Sequence, residues 1–379
     1  MSARTSSGPS IATRVFGSQW FVSVLAVLIA FAIGAILIAL SGASVVDAYY
    51  AMFRGSIVDP NAANAVRMIK PLTDSLFYSI PLIISGLGLA LGFRAGLFNI
   101  GGKGQIIVGA LAAVWVGFAV SLPPVVHTLV ALLVAVIAGG LYGGIAGVLK
   151  AKTGANEVIV TIMLNSIATL GLGYTLAQKA WQVPGTNQPV TPKVADSAAF
   201  VRLLPAPFKL HVGFLVAIVA LGVFWWLIER STLGFQIRAV GANAAAARTA
   251  GISVERITAI TMVLSGAFLG LAGANEALGT IGYVSRDVAG SIGFDAITVA
   301  LLGRNKTWGT FGAGLLFGAF KAGGYTMQAK GVPIDMILIL QSVIVLLIAA
   351  PALVRWLFRL PDVRALAANT RKGNADEHK

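Results

Sequence analysis

The chain has 379 residues, of which 57% are hydrophobic and only 11% are charged, with a formal net charge of +14. A soluble domain usually carries about 25% charged residues, so this composition is typical of a protein that lies mostly in lipid. The absence of cysteine excludes disulfides, thiolate zinc sites and cysteine-held iron–sulfur clusters. The three histidines, His127, His211 and His378, are too far apart in sequence for metal-ligand spacing.

The first apolar run begins near Trp20, after the basic residues Arg4 and Arg14. It is about 20 residues long, which exceeds the usual core of a signal peptide, and no A-x-A-like cleavage site follows it directly. The pattern therefore predicts a retained membrane anchor behind a cytoplasmic tail at residues 1–19.

Ten apolar segments approach the length of about 20 residues that a helix needs to cross the hydrocarbon core. They are Trp20–Leu40, Leu72–Phe93, Phe98–Val120, Val125–Val148, Glu157–Ala177, His211–Ile228, Ile257–Thr280, Ile292–Gly303, Trp308–Gly323 and Ile334–Phe358. The eighth and ninth are short and rich in glycine, so half-helices or a broken pair are an open alternative. The sequence predicts an all-α membrane protein with about ten transmembrane helices over residues 20–358. Five segments followed by five would also accommodate an inverted repeat.

Lysine and arginine predict the orientation, because they are enriched on the cytoplasmic side of membrane proteins. With a cytoplasmic N-terminus and ten crossings, most of the 28 basic residues fall inside. We therefore expect both termini, including the polar tail at residues 359–379, in the cytoplasm. Topology and contact with membrane lipids then explain the basic charge, which argues against nucleic acid as a partner.

The segment Ser231–Ile257 lies between two apolar runs and reads STLGFQIRAVGANAAAARTAGISVERI. It is rich in alanine, basic and short, and it predicts a helix over Ala244–Thr249 that no hydrophobic core requires. A soluble helix that short loops connect to membrane segments is a binding surface for another protein. We expect the cytoplasmic loop at residues 229–256 to receive motion from a partner.

Three glycines in four residues interrupt the start of the third segment, in the motif Gly96–Gln105. They allow the backbone to bend or helices to pack closely, so Asn99 and Gln105 would face a polar cavity or a packed interface. The motif is not a phosphate-binding loop, because Gly102 stands where that loop needs lysine and no Ser or Thr follows Lys103.

Other polar residues lie in or near apolar segments, where side chains of this kind need partners. Asn165 is about two turns into its helix, and both interhelical hydrogen bonding and substrate contact suit it. Asn275, Glu276 and Asp295 are candidates for a pathway, since carboxylates in membranes usually face a bundle interior or water. Capping is the simpler interpretation for Asp295, and an interfacial position is the simpler one for Glu276.

Four stretches together resemble the permease subunits of bacterial ATP-driven importers for nucleosides and simple sugars, which are related to ribose and branched-chain amino-acid permeases. These stretches are Gly96–Gln105, Ala155–Asn165, Gly234–Ile252 and Gly293–Gly303. The first two are similar to the nucleoside branch. At Lys103 the chain departs from the family, which often has glutamate there.

The resemblance implies that two permease subunits form a pathway while two cytosolic ATPases clamp on ATP and Mg, so that this chain itself holds no cofactor and no metal. It implies a bacterial cytoplasmic (inner) membrane, a second and different permease subunit, and a substrate-binding lipoprotein or periplasmic protein. The residues that it assigns to coupling are Arg238, Gly241, Asn243, Ala246, Ala247, Arg248 and Gly251.

The sequence leaves the cargo open, because a nucleoside, a free base or a simple sugar such as a pentose would all suit a neutral, amide-lined path. A secondary transporter driven by an ion gradient is the alternative class, with Glu276 and Asp295 as its carboxylates. The chain has no H-E-x-x-H and no G-x-S-x-G motif. We therefore expect a transport subunit and no enzyme.

Overall fold

The computed structural model describes residues 19–329 without a break, together with residues 331–333, 336, 338, 339, 342, 343, 346, 347 and 358. The helices in the continuous range are α1 (Gln19–Leu40), α2 (Val45–Ser56), α3 (Ala65–Arg94), α4 (Gly102–Ala119), α5 (Val126–Thr153), α6 (Glu157–Ala177), α7 (Gly213–Trp225), α8 (Thr232–Ala242), α9 (Ala244–Thr249), α10 (Val254–Asn275), α11 (Ile292–Leu302) and α12 (Thr307–Gln328). A turn of π-helix extends α7 over Trp226–Arg230, and another extends α10 over Glu276–Thr280. The predicted all-α class is confirmed over these residues.

Six helices are long and apolar enough to cross a membrane: α3, α4, α5, α6, and α7 and α10 with their π-turns. The chain is therefore a multi-pass membrane protein. Helix α1 confirms the first predicted segment as a 22-residue helix. The tenth predicted segment falls largely outside the described residues, as do most of the N-terminal tail and the whole C-terminal tail, so the ten-helix count and the inverted repeat stay predictions.

Three helices differ from the segments that hydrophobicity alone predicts. Helix α3 begins at Ala65, where the Asn64 side chain caps it by accepting a hydrogen bond from the Arg67 N–H at 2.9 Å, and it continues through Pro71 and Pro81. Helix α12 has 22 residues and is no half-helix by length, whereas α11 has only 11. Helix α8 was not predicted at all, since its apolar residues are few.

Helix α10 is the central element and packs against α3, α4 and α5. Glycines make this close packing possible. A Cβ atom placed on Gly270 would lie 2.3 Å from the carbonyl oxygen of Ala135, and one on Gly109 would lie 2.4 Å from the Cα of Gly270. Small residues at helix contacts are what allows backbones to approach within a membrane protein.

The segment between α6 and α7, residues 178–212, folds back onto the ends of α4 and α10. Backbone N–H groups of Ala195 and Phe200 donate to the carbonyl oxygens of Gly117 and Leu278 at 2.8 and 3.0 Å. The proline-rich loop is thus an ordered cover at this end of the helices, with its backbone polar groups partly satisfied by them.

The described residues divide into two compact units, one before residue 52 and after residue 326, the other over residues 52–326. All of the helices from α3 to α11 belong to the second unit. In the first unit, the Tyr49 hydroxyl donates to the carbonyl oxygen of Phe31, which ties α2 to α1.

Candidate translocation pathway and coupling surface

A group of hydrogen-bonded side chains, here called the amide cluster, consists of Asn99, Gln105, Asn165 and Ser265. Asn99 and Gln105 are each only 1% exposed. The Asn99 amide nitrogen donates to Gln105 Oε1 at 3.0 Å and to Ser265 Oγ at 2.9 Å. The Asn99 amide oxygen accepts from Gly101 N–H at 2.9 Å and from the Gln105 amide nitrogen at 3.1 Å. Every polar atom of Asn99 is therefore partnered.

Asn165 joins α6 to the beginning of α4 through main-chain atoms. Its amide oxygen accepts from the Gly104 N–H at 2.7 Å, and its amide nitrogen donates to the Ile100 carbonyl oxygen at 2.8 Å. The Gly104 N–H lies in the first turn of α4 and the Ile100 carbonyl lies just before that helix, so Asn165 satisfies backbone groups that the interruption between α3 and α4 leaves free. These two hydrogen bonds support the interpretation of Asn165 as an interhelical contact.

The N-termini of helices α4 and α11 pack against each other. A Cβ atom on Gly102 would lie 3.1 Å from the Gly293 carbonyl oxygen, and one on Gly293 would lie 2.5 Å from the Lys103 nitrogen. The N-termini of two helices thus meet where the chain is interrupted. The half-buried Lys103 stands at this junction.

Asn156 and Glu157 have partners at the start of α6. The Asn156 side chain caps α6 by accepting from the Val158 N–H at 2.9 Å. The Lys150 ammonium lies 2.5 Å from the Glu157 carboxylate. Glu157 thus fastens the end of α5 to the start of α6.

A second polar group, here called the carboxylate cluster, consists of His211, Asn275, Glu276, Asp295 and Lys321. Asn275 is 0% exposed, His211 2% and Glu276 6%. Within the described part of the chain, neither amide atom of Asn275 makes a hydrogen bond of standard geometry, nor does His211 Nε2, although the Asn275 amide interacts with the neighbouring Glu276 carboxylate. Glu276 Oε1 accepts one hydrogen bond, from the Thr280 hydroxyl at 3.1 Å.

Electrostatic contacts connect the cluster across the helices. The Lys321 ammonium of α12 acts on both the Glu276 and the Asp295 carboxylates. Asp295 lies in the first turn of α11 and accepts from the Ser291 hydroxyl at 2.6 Å, so the capping interpretation of Asp295 has direct support. The Tyr78 ring of α3 stacks at 5.3 Å on that of Tyr325 and lies within electrostatic reach of Glu276. Helices α3, α10, α11 and α12 therefore converge on one charged, aromatic region.

The π-turn at Glu276–Thr280 shapes this region. His211 packs directly over Gly279, where a Cβ atom would lie 2.5 Å from His211 Cε1. The His211 ring is also sandwiched between Phe77 and Phe200, each with its centroid 5.4 Å away. Turns of π-helix inside α-helices occur frequently at functional sites, because the extra residue re-aims the side chains that follow.

At the other end of α10 lies the predicted short helix, and its observed bounds, Ala244–Thr249, match the prediction. Asn243 caps it by accepting from the Ala245 and Ala246 N–H groups, each at 3.0 Å. Gly251 adopts φ +83° and ends the helix, with the Ile252 N–H donating to the Ala247 carbonyl oxygen at 3.0 Å. This pattern of hydrogen bonds is a Schellman motif, which gives the helix a defined end.

The seven predicted coupling residues divide by exposure. Asn243, Ala246, Arg248 and Gly251 are exposed, whereas Ala247 is buried. Gly241 lies against the end of α3, where a Cβ atom would stand 2.0 Å from the Arg94 carbonyl oxygen. Arg248 pairs with Glu255 at 2.7 Å. The buried Arg238 Nη1 has no hydrogen-bond partner among the described residues.

The sequence analysis missed His211, Tyr78 and Lys321 as functional candidates. His211 was set aside with the other histidines for its lack of metal-ligand spacing, and Lys321 was counted only among the basic residues. A lysine within the apolar run of α12 was the available signal, since ionisable residues in such runs usually face a bundle interior. Among the described residues no group of three His, Asp or Glu side chains could hold a metal ion.

Six apolar spans with buried polar side chains between them are typical of a membrane transport protein. The chain belongs to the family described as branched-chain amino acid transport system / permease component, whose model matches residues 72–349.

Curated relatives cover nearly the whole chain. It is 39% identical to the guanosine ABC transporter permease protein NupP of Bacillus subtilis, over 89% of this chain and 95% of that one. It is 32% identical to the nucleoside ABC transporter permease protein NupB of Lactococcus lactis, over 92% and 95%. It is 35% identical to the glucose ABC transporter permease protein TsgB13 of Haloferax volcanii, over 85% of each. No solved structure matches.

Proposed function

We propose that this chain is the permease subunit of an ATP-binding-cassette importer that moves a nucleoside or a related small polar solute into the cytoplasm. The observation that carries the proposal is α9, a helix with a cap at each end and an exposed face, in a chain whose relatives include permeases named for guanosine and nucleosides. The relative named for glucose favours a simple sugar as the second candidate cargo.

The pathway is lined or shaped by Asn99, Gln105, Asn165, Asn275, Glu276 and Asp295. Asn275 and Glu276 contact the cargo, together with His211, because all three are buried and neither amide atom of Asn275 nor His211 Nε2 makes a hydrogen bond of standard geometry among the described residues. The amide cluster holds the interrupted start of α4 in place beside them. The Tyr78 and Tyr325 rings offer faces on which a nucleobase stacks, whereas a pentose would use the polar groups alone.

Coupling uses the exposed residues of α9 and its caps, with Gly241 and Ala247 providing the packing behind them. A cytosolic ATPase binds ATP and Mg, contacts α9, and moves α9 and α8 together. A second, different permease subunit completes the pathway, and a binding lipoprotein or periplasmic protein delivers the cargo. This arrangement puts the chain in a bacterial inner membrane with α8, α9 and both termini in the cytoplasm.

Uptake of tritiated nucleosides and of labelled pentose and glucose tests the cargo, in cells that carry or lack this subunit. We expect nucleoside uptake to fall at least tenfold on deletion and to return with the full chain. If deletion lowers sugar uptake and leaves nucleoside uptake unchanged, the cargo is the sugar and not the nucleoside. A protonophore should leave uptake intact while ATP stays high, which separates this importer from an ion-gradient transporter.

Ala246→Glu tests the coupling surface. The position is exposed in the first turn of α9, where glutamate suits both helix propensity and the helix dipole, so the fold should tolerate it. We expect transport and cargo-stimulated ATPase activity to drop at least tenfold in the purified complex. Lys152→Glu, an exposed charge change at the end of α5, is the control. Equal activity of the two variants would contradict the role of α9.

A further inference from the structure

A basic cavity of about 670 Å³ lies where α3 ends, α7 ends and α12 begins. Arg94, Arg230 and Lys306 contribute three cationic groups to its walls, and Glu229 contributes one carboxylate. None of these residues belongs to the amide cluster, the carboxylate cluster or α9. The excess of positive charge favours an anionic occupant.

Contacts hold two of the three cations, Arg94 and Arg230, in place. Arg94 Nε donates to the Asn305 carbonyl oxygen at 2.7 Å, and Arg94 Nη2 lies 3.8 Å from Glu229. The Arg230 guanidinium lies over the ring of Trp225, 5.2 Å from its centroid. Because these side chains are already oriented, a ligand would find its partners at a reduced entropic cost.

The N-terminus of α12 also faces this cavity. The helix has 22 residues and starts at Thr307, and both Thr307 and Gly309 line the cavity wall. The first N–H groups of a helix have no acceptor within the helix and favour negative charge, and phosphate groups commonly bind there.

Thr307 supplies an independent indication. Its side chain is 4% exposed, and its hydroxyl has no hydrogen-bond partner among the described residues. Because Thr307 lines the cavity, a change of its χ1 rotamer can turn the hydroxyl towards an acceptor there. An oxyanion would satisfy it.

We propose that this cavity binds a phosphate group, carried either by the headgroup of an anionic lipid or by a free phosphate ion. Two arginines and a lysine at the end of a helix bundle, beside Trp225, suit a lipid headgroup at a membrane surface. The site also touches the coupling apparatus, because the Arg94 carbonyl contacts Gly241 at the end of α8. A bound phosphate group would stabilise the end of α3, which is the part of α3 that α8 contacts. The proposal does not depend on the identity of the cargo.

The test uses the full chain with its companion subunits. The complex is placed in nanodiscs of phosphatidylglycerol mixed with phosphatidylcholine, and the lipids retained after extraction are counted by native mass spectrometry. A second arm measures the thermal shift with inorganic phosphate against chloride at equal ionic strength. Lys306→Gln and Arg230→Gln should each weaken binding about fivefold to tenfold, less than for a buried charge-assisted hydrogen bond because both side chains are exposed to water. Lys152→Gln, an exposed lysine away from the cavity, should leave binding unchanged.

A pair of threonine variants separates binding from folding. Thr307→Val removes the hydroxyl at the cavity, and Thr310→Val removes an equally buried hydroxyl that also lacks a partner but does not line the cavity. We expect both variants to fold and only Thr307→Val to weaken binding, about threefold or more.

Retention of phosphatidylglycerol that is lost in the cavity variants supports the lipid source. A phosphate-specific shift without lipid preference supports the free ion. Equal retention of both lipids with no phosphate shift overturns the proposal, as does binding that the cavity variants leave unchanged. If the Lys306 and Arg230 variants weaken association with the ATPase but leave lipid and phosphate binding unchanged, the cavity is a contact surface for the ATPase. That result would contradict the proposed phosphate site.

Discussion

The amide cluster and the carboxylate cluster are both buried polar groups that contact α10, yet their hydrogen bonding differs. Asn99 and Asn165 have partners for both their amide atoms, including backbone groups that the interrupted chain leaves free. Asn275 makes no hydrogen bond of standard geometry among the described residues, and neither does His211 Nε2. The side chains of the amide cluster satisfy one another and nearby backbone groups, whereas the carboxylate cluster retains polar atoms that can bind a ligand.

This difference separates two uses of polar residues inside a membrane protein. A buried polar group without a partner costs about 1–3 kcal/mol. Such groups are rare in folded proteins, and each one calls for an explanation such as a binding role. We therefore expect substitutions in the amide cluster to change stability and substitutions in the carboxylate cluster to change transport.

The largest effect should follow from Glu276→Gln, which keeps the shape of the side chain and removes its charge. Loss of one charge-assisted contact to cargo, about 1.5–3 kcal/mol, corresponds to a decrease of roughly tenfold to a hundredfold in uptake. Initial uptake rates in proteoliposomes that hold the complete transporter give the measurement. Asp287→Asn, an exposed carboxylate near the same end of α10, is the control. A transporter that tolerates both changes equally would remove Glu276 from the pathway.

Gln105→Leu should instead lower stability by about 2 kcal/mol, because the buried Asn99 amide loses two of its four hydrogen bonds. Thermal unfolding of the purified complex reports the loss. Uptake per folded transporter should change less than threefold. A stable variant with a large defect in uptake would place the amide cluster in direct contact with cargo and end the distinction between the two clusters.

Two histidines provide a matched pair. His127 has partners for both ring nitrogens, Ser197 Oγ at 2.8 Å and the Val116 carbonyl oxygen at 3.0 Å. His211→Phe keeps an aromatic ring between Phe77 and Phe200, so we expect uptake to fall about fivefold with a modest change in melting temperature. His127→Phe should show the opposite, a lower melting temperature with near-normal uptake per folded complex. The reverse outcome would exclude His211 from cargo binding.

The smallest effects concern the helix caps. Asn243→Ala and Asn156→Ala each remove two side-chain contacts to backbone N–H groups, which costs about 1 kcal/mol of helix stability. Only the first should reduce the stimulation of ATPase activity by cargo, about twofold to threefold, since it loosens α9. ATPase assays and thermal unfolding of both variants test this, and equal coupling in the two would show that the rigidity of α9 is unimportant.

Local sequence was sufficient for several features. The alanine-rich sequence between two apolar runs predicted the bounds of α9, because helix propensity acts over a few residues. The interruption before α4 followed from Gly101 and Gly102. The extension of α3 through Pro71 could not be predicted, because neighbouring helices can stabilise a helix that proline would otherwise weaken.

The sequence by itself determined the all-α membrane class, the break before α4 and the short helix of the coupling loop, since apolar length and capping chemistry act locally. Only the tertiary structure decided which polar residues have partners. Lys321 is 45 residues from Glu276 along the chain, and His211 is 64 residues from Asn275. Hydrogen bonding and electrostatics depend on distance in space, and the packing of α3, α10, α11 and α12 brings these groups together.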